Sequence, residues 1–213
     1  MEYSLLQGDG IDIGCGLDPV LPNAMPFDLA HGDANDISRY VQRQFDFVYS
    51  SHCLEHMRDA KVALRQWWDL VKPGGVLFLI VPDEDLYEQG VWPSRFNRDH
   101  KWTFTIMKDK SWSPVSINLL DLARSLPNGE VLDIRLFDVG YDRRLQSNGQ
   151  SAGTLASRFA RLRGRLAYGA LRMLGFDRNL LKRRFVRPID QTTFPDVLAQ
   201  IQCIVRKSRT SSP

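Results

Sequence analysis

The chain has 213 residues, 43% hydrophobic and 25% charged, with a net charge of +3, which suits one ordinary soluble α/β domain and excludes a disordered or fibrous chain. Its longest unbroken apolar run, Val76 to Val81, is far shorter than the ~20 residues of a membrane span. No charged-then-apolar leader is read at the amino end, and the scattered Cys15, Cys53 and Cys203 form neither a disulfide framework nor a metal-ligand spacing, so a reducing cytoplasmic location is expected.

Gly10 to Ile13 predicts a short apolar strand that runs into the turn Gly14-Cys15-Gly16, with Asp12 near the strand's end. Glycine allows a sharp turn and close approach of a ligand to the main chain. In an open α/β sheet the first such turn is the usual nucleotide site. A dinucleotide site would need a third glycine and a helix aimed at pyrophosphate. Here Leu17, Asp18 and Pro19 follow, and ten residues separate Gly16 from Phe27. An acidic turn of this kind suits a ligand with an ammonium and a ribose but no phosphate, such as S-adenosylmethionine.

Pro26 to Ala30 reads as a second strand that ends near Asp28, followed by Gly32-Asp33-Ala34. Phe45 to Ser51 reads as a buried third strand, followed by His52-Cys53-Leu54-Glu55-His56. From Asp59 to Val71, Ala60, Ala63, Leu64, Trp67, Leu70 and Val71 recur at helical spacing, so Trp67 and Trp68 are read as core. Lys72-Pro73-Gly74-Gly75 ends that helix, and Val76 to Val81 is a strand. The stretch after Pro82 has neither period and reads as a polar, aromatic loop at the sheet's carboxyl edge. Val131 to Val139 and Ala199 to Val205 read as the last two strands. The expected fold is α/β: a doubly wound, mostly parallel seven-stranded sheet in a single domain over 1–213, with a basic helical insertion over 143–190 between the last two strands.

The phrases DIGCG, GDA, FDxVxSxHxLEH and KPGG, in this order and spacing, make the chain resemble a class I S-adenosylmethionine-dependent methyltransferase over roughly residues 8–107 and more weakly at the last strand. The resemblance implies that Asp12 holds the cofactor's ammonium and that the backbone of Gly14, Cys15 and Gly16 lines the methionine and ribose. It also implies that Asp28 accepts the ribose hydroxyls and that Asp33 and Ala34 meet the adenine, with Ser51 in the same cofactor set. The alternative for Asp33 is to cap the helix that starts near Asn35 or Asp36, and it could do both jobs. Asp18 departs from the family pattern, where a third glycine often stands.

Methyl transfer to a neutral hydroxyl also requires loss of a proton, and a positioned base contributes roughly 10²–10⁴ in rate. His52, at the carboxyl edge of the third strand, is the first candidate base; packing on the adenine or capping the next helix is the alternative. His100 is the second candidate. Glu55 could orient a histidine or pair with the insert, and His56 reads as structural. Tyr87, Trp92 and Trp102, with Asp83, Asp85, Asn97, Asp99 and His100 nearby, offer the flat faces and planar polar groups a sugar ring requires. The phrases HxLEH, DLYE and FNxDHK look like family members associated with polysaccharide loci, so a carbohydrate or glycan hydroxyl is the expected acceptor. Another small molecule or a lipid is the nearest alternative, and a non-catalytic cofactor- or RNA-binding protein is another. No metal ligands are read.

Residues 143–188 hold twelve Lys or Arg and one acid, Asp177, a net +11, while the remainder has sixteen basic and twenty-four acidic residues, a net −8. Leu155, Phe159, Leu162, Leu166, Ala170 and Met173 fall on one helical face, flanked by Arg158, Arg161, Arg163, Arg165 and Arg172. Such a helix could pack on the domain as a lid, or contact an anionic membrane through 155–187 at the inner face. Nucleic-acid binding is disfavoured because the insert is poor in exposed stacking aromatics.

Overall fold

The computed structural model describes residues 3–106, 108–146, 163, 166–175, 177 and 188–209. The chain builds β1 (Gly10–Ile13), β2 (Met25–Phe27), β3 (Phe45–Ser51), α1 (Ala60–Asp69), β4 (Val71–Pro82), β5 (Thr103–Thr105), β6 (Ser116–Asn118), α2 (Leu119–Arg124), β7 (Gly129–Phe137) and β8 (Gln200–Lys207). The main sheet runs β2-β1-β3-β4-β8-β7, and β5 pairs with β6 separately. The β1–β2, β1–β3 and β3–β4 pairs are parallel, while β8 runs antiparallel to β4 and β7. This is the expected α/β architecture, a doubly wound and mostly parallel sheet. Among the described residues, however, the main sheet has six strands rather than seven. The other two strands pair with each other beyond the edge of β4, where Asp83 bridges to Phe104.

Strand register divides the core into two layers. Ile11, Ile13, Val48, Leu77, Leu79, Val81, Ile201, Cys203 and Val205 pack on the face covered by α1 and α2. Phe47, Tyr49, Val76, Phe78, Ile80 and Ile204 pack on the other. Burial on both faces explains why β3 and β4 read as unbroken apolar runs rather than alternating ones. The second face is closed by Leu5 and Leu6 and by Val20, Leu21 and Ala24 from the β1–β2 connection. That connection forms no helix. The second strand also stops at Phe27, two residues into the span expected from sequence, so Asp28 begins the turn itself.

α1 begins where Asp59 accepts hydrogen bonds from the backbone of Lys61 and Val62, a cap worth about 1 kcal/mol. Its inner face buries Ala60, Ala63, Leu64, Trp67 and Trp68. Trp68 Nε1 donates to Pro127 O at 3.0 Å, tying α1 to the end of α2, and Lys207 lies over the Trp68 ring. Trp67 Nε1 donates to Ala34 O at 2.9 Å and so anchors the 33–35 segment at the sheet's edge.

The two ends of the insertion are described. Tyr141 and Leu145 pack with Ile189, Phe194 and Val197, and Tyr141 donates to Leu86 O at 2.6 Å. Much of the expected amphipathic helix, including Leu155, Phe159, Leu162, Arg158, Arg161 and Arg165, lies outside the described residues. Within the helical stretch 166–173, Leu166, Ala170 and Met173 are exposed, so the apolar face is not packed on the domain there.

Replacing Trp68 with Ala is expected to cost about 3–5 kcal/mol, and Asp59→Ala about 1 kcal/mol. Chemical denaturation midpoints at constant m-value check both.

Candidate active site

The carboxyl ends of β1 and β3 meet where the strand order reverses, which is where open α/β sheets bind ligands. Gly14 has φ +80°, and a Cβ there would lie 2.6 Å from Cys53 Cβ, so only glycine lets the two turns touch. His52 leaves β3 with φ 53°, an uncommon value for a residue with a side chain, while its N–H donates to Ile80 O at 2.9 Å. The ladder bond to β4 and the left-handed backbone together aim the imidazole across the edge of the sheet.

Three cavities surround this point. The first, of about 470 Å³, is lined by Gly14, Phe27, Asp28, Leu29, Gly32, Asp33, Ala34, Asn35, His52, Cys53, His56, Met57, Asp99 and Lys101. The second, of about 680 Å³, is lined by Asp12, Gly14, Cys15, Asp18, Pro19, Val20, Leu21, Tyr49 and Ser51. The two share Gly14. Asp28, Asp33 and Ala34 therefore border one side of the Gly14 turn, and Asp12, Cys15 and Ser51 the other. Gly16 lines none of the three; its N–H instead donates to Asp28 Oδ2 at 2.8 Å and holds that carboxylate in place.

The third cavity, of about 450 Å³, is lined by His52, Glu55, His56, Pro82, Tyr87, Asn97, His100, Thr192, Val197, Leu198, Ala199 and Gln200. It shares His52 and His56 with the first. Trp92 and Trp102 line neither of these two. Trp102 instead donates Nε1 to Met57 O at 2.9 Å and packs against the core. Of the three aromatics expected to face an acceptor, Tyr87 is the one that borders this space. Its ring lies 5.1 Å from that of His100, and burial raises its phenol further above the ordinary range, so it remains protonated. The segment from Thr192 to the start of β8 at Gln200, just after the expected insertion, supplies one wall.

The carboxylates have distinct environments. Asp12 is buried and accepts from Val20 N at 2.7 Å. Burial pushes its carboxyl up to about 6; the Val20 bond opposes this and Asp28 adds to it. Asp33 caps the short turn Ala34–Arg39, accepting from Asn35 N at 2.9 Å and Asn35 Nδ2 at 2.7 Å, which hold it below the usual range. Its other oxygen lies 3.5 Å from Arg58. The capping role and the lining of the cavity thus coincide on one side chain.

Three of the four histidines, His52, His56 and His100, converge on Glu55, which is buried. His52 Nδ1 is 3.5 Å from Glu55 Oε1, and His52 Nε2 is 3.0 Å from Gln200 Oε1. Burial alone would lower the His52 pKa, but the nearby Glu55 carboxylate, helped by Gln200, raises it. His100 is buried with Nδ1 2.7 Å from Glu88 Oε1. Lys101 N and Trp102 N both donate to Glu55 O, docking the 97–102 loop on the 54–56 turn. That docking brings Asp99 and Lys101 to the first cavity, a placement no sequence period announces. It also brings Glu55, His56 and His100 together, although no metal ligands were read from the sequence.

Residues 3–108 match the model of the family described as Methyltransferase domain. The matched segment contains every residue named above for the cofactor, together with His52 and His100. Among solved structures, the chain is similar to a SAM dependent methyltransferase from Archaeoglobus fulgidus at 13% identity, covering 96% of this chain and 88% of that one, with a TM-score of 0.47. It is similar to the YcgJ protein of Bacillus subtilis at 11% identity, covering 89% and 73%, with a TM-score of 0.42. A third is the Haemonchus contortus phosphoethanolamine N-methyltransferase 2 solved with phosphomonomethylethanolamine and S-adenosylhomocysteine, at 14% identity, covering 84% and 37%, with a TM-score of 0.37. No curated protein matches the sequence.

Asp12 yields a test with a defined sign. Its folded pKa of about 6 lies above the unfolded carboxylate value, so the folded state holds the proton more tightly. Ionising it costs stability as pH rises through the window from about 4 to about 6, by at most about 3 kcal/mol. Asp12→Asn is therefore expected to raise the melting temperature of the ligand-free protein at pH 8 and to leave it unchanged at pH 4.

Proposed function

We propose that this chain, a methyltransferase dependent on S-adenosylmethionine by its amino-terminal half, methylates a hydroxyl oxygen of a carbohydrate or glycan. The observation that carries this reading is that His52 and His56 border both the cavity of Asp28 and Asp33 and the cavity of Tyr87, Asn97 and Gln200. One space suits an adenosyl group, the other a polar acceptor, and a titratable side chain stands where they meet.

The donor set fits the cofactor. Asp12, Asp28 and Asp33 are acceptors for an ammonium, for ribose hydroxyls and for an adenine amino group. Lys101 is the one cationic side chain among the linings of the first two cavities, too little positive charge for a polyphosphate. When bound, the cofactor supplies a methyl group on a sulfonium, whose departure needs little help. The protein's tasks are alignment and proton removal. Asp12 and Asp33 hold the two ends of the ligand and Asp28 its ribose, with Gly16 N–H fixing the Asp28 carboxylate. Leu29, exposed at the rim, covers the purine from water. His52 takes the acceptor's proton at Nδ1, and the carboxylate of Glu55 beside it stabilises the imidazolium. Tyr87 offers a ring face, and Asn97, Thr192 and Gln200 offer hydrogen bonds to a sugar.

The test combines calorimetry with S-adenosylmethionine and a homocysteine-release assay over a panel of hexoses, oligosaccharides, phenols and lipids. Cofactor binding with turnover on sugars supports the proposal. Turnover on phenols or lipids alone would replace the acceptor, and binding without turnover on any acceptor would favour a cofactor-binding protein. His52→Ala is expected to lower kcat by roughly 10²–10⁴ while changing cofactor affinity far less.

The insertion supports a second, separate reading: peripheral contact with an anionic bilayer. Leu166, Met173 and Leu174 are exposed beside Arg163 and Arg172, a combination that suits an interfacial helix. Among the described residues no helix is long and apolar enough to cross a membrane. Cosedimentation with vesicles containing phosphatidylserine is expected at low salt and lost at high salt; no binding at low salt would reject the contact.

A further inference from the structure

Two buried glutamates in this region are treated differently by the fold. Glu84, 0% exposed, is paired with Lys108 at 2.7 Å and accepts from Thr103, Ser111 and Ser116. Glu55, 1% exposed, accepts a hydrogen bond at neither carboxylate oxygen. A buried carboxylate requires a counter-charge or donors. What faces Glu55 instead is imidazole nitrogen. His100 Nδ1 lies 2.7 Å from Glu88 Oε1, which orients the ring. Its other nitrogen, Nε2, thereby faces Glu55 Oε1, 4.0 Å away. His56 Nε2 lies 4.0 Å from the same oxygen, and the three donor atoms all lie within 4.8 Å of one another.

We propose that Glu55, His56 and His100 bind a divalent transition-metal ion. Two imidazoles and a carboxylate with a further position open suit zinc, and also iron. A tetrahedral zinc ion about 2.0–2.1 Å from each donor places the donors about 3.3 Å apart, so the two 4.0 Å separations close by about 0.7 Å and the third by at most about 1.5 Å. Glu88 is the outer partner that fixes the tautomer and ring orientation of His100, as carboxylates do behind metal-bound imidazoles. All three ligands line the third cavity. There the ion would polarise an acceptor hydroxyl and make its proton easier to remove. That use of the ion rests on the methyl-transfer reading above; the metal site does not.

The experiment dialyses the full chain against a chelator and titrates it with Co²⁺. One equivalent is expected to bind, with visible d–d bands of low coordination number that Zn²⁺ displaces. Glu55→Gln and His56→Ala are expected to weaken Co²⁺ binding by more than about 100-fold, and Glu88→Gln by about 10–100-fold. His31→Ala, at an exposed histidine remote from the cluster, leaves it unchanged. Circular dichroism verifies each fold; should Glu55→Gln unfold, the half-buried His56 decides. Absence of bands in the wild-type protein, or bands unaltered by both ligand substitutions, would overturn the site. Calorimetry with S-adenosylmethionine on the same samples separates the two readings. Metal without cofactor binding keeps this site and rejects the methyltransferase; cofactor without metal binding does the reverse.

Discussion

The contact between Gly14 and Cys53 governs the carboxyl edge of the sheet. Because residue 14 has no Cβ and sits at φ +80°, the turn after β1 closes directly onto the turn after β3. The ligand space therefore divides at Gly14 into an Asp12 side and an Asp28/Asp33 side. His52, the residue before Cys53, is held at the border with the third cavity. Its left-handed backbone is a modest strain, held by the ladder bond to Ile80. A larger residue at 14 would move both turns and every side chain they carry.

Around that contact the molecule gathers negative charge with little to neutralise it. Asp12 is kept partly desolvated at some cost to stability, and Asp28 is presented by backbone donors from Gly16 and Leu29. Glu55 is buried without a donor although Glu84, on the neighbouring loop, is fully paired. Uncompensated carboxylates facing open space are poor for folding and suited to binding a cation, and such sites commonly sit at functional clefts.

Much of this was legible in the residues because the underlying signals are local. β3 and β4 are strands buried on both faces, so their apolar runs are continuous. α1 shows its period, its Asp59 cap and its Trp67 and Trp68 anchors. The brevity of the first crossover follows from counting residues between Gly16 and Phe27. Less legible were β5 and β6, three residues each, which pair beside a loop pinned by the polar bonds of Glu84 rather than by any apolar pattern. The two strands expected last are present as β7 and β8, but among the described residues the main sheet has six strands where seven were expected. Asp99 and Lys101 reached the cofactor side through backbone bonds to Glu55 O, and main-chain bonds leave no mark on side-chain composition. Trp102 looked available for stacking and is instead spent on Met57 and the core.

By itself the sequence determined the succession of strands along the chain up to β4, the glycine turn, the acidic residues near the strand ends and the basic excess over 143–188, because periodicity, glycine and charge act over a few residues. Only the tertiary structure decided that His52, His56 and His100 meet at Glu55, that Glu88 lies against His100, and that the segment before β8 walls the third cavity. Those contacts join positions tens of residues apart, and their formation depends on how the loops close over the sheet.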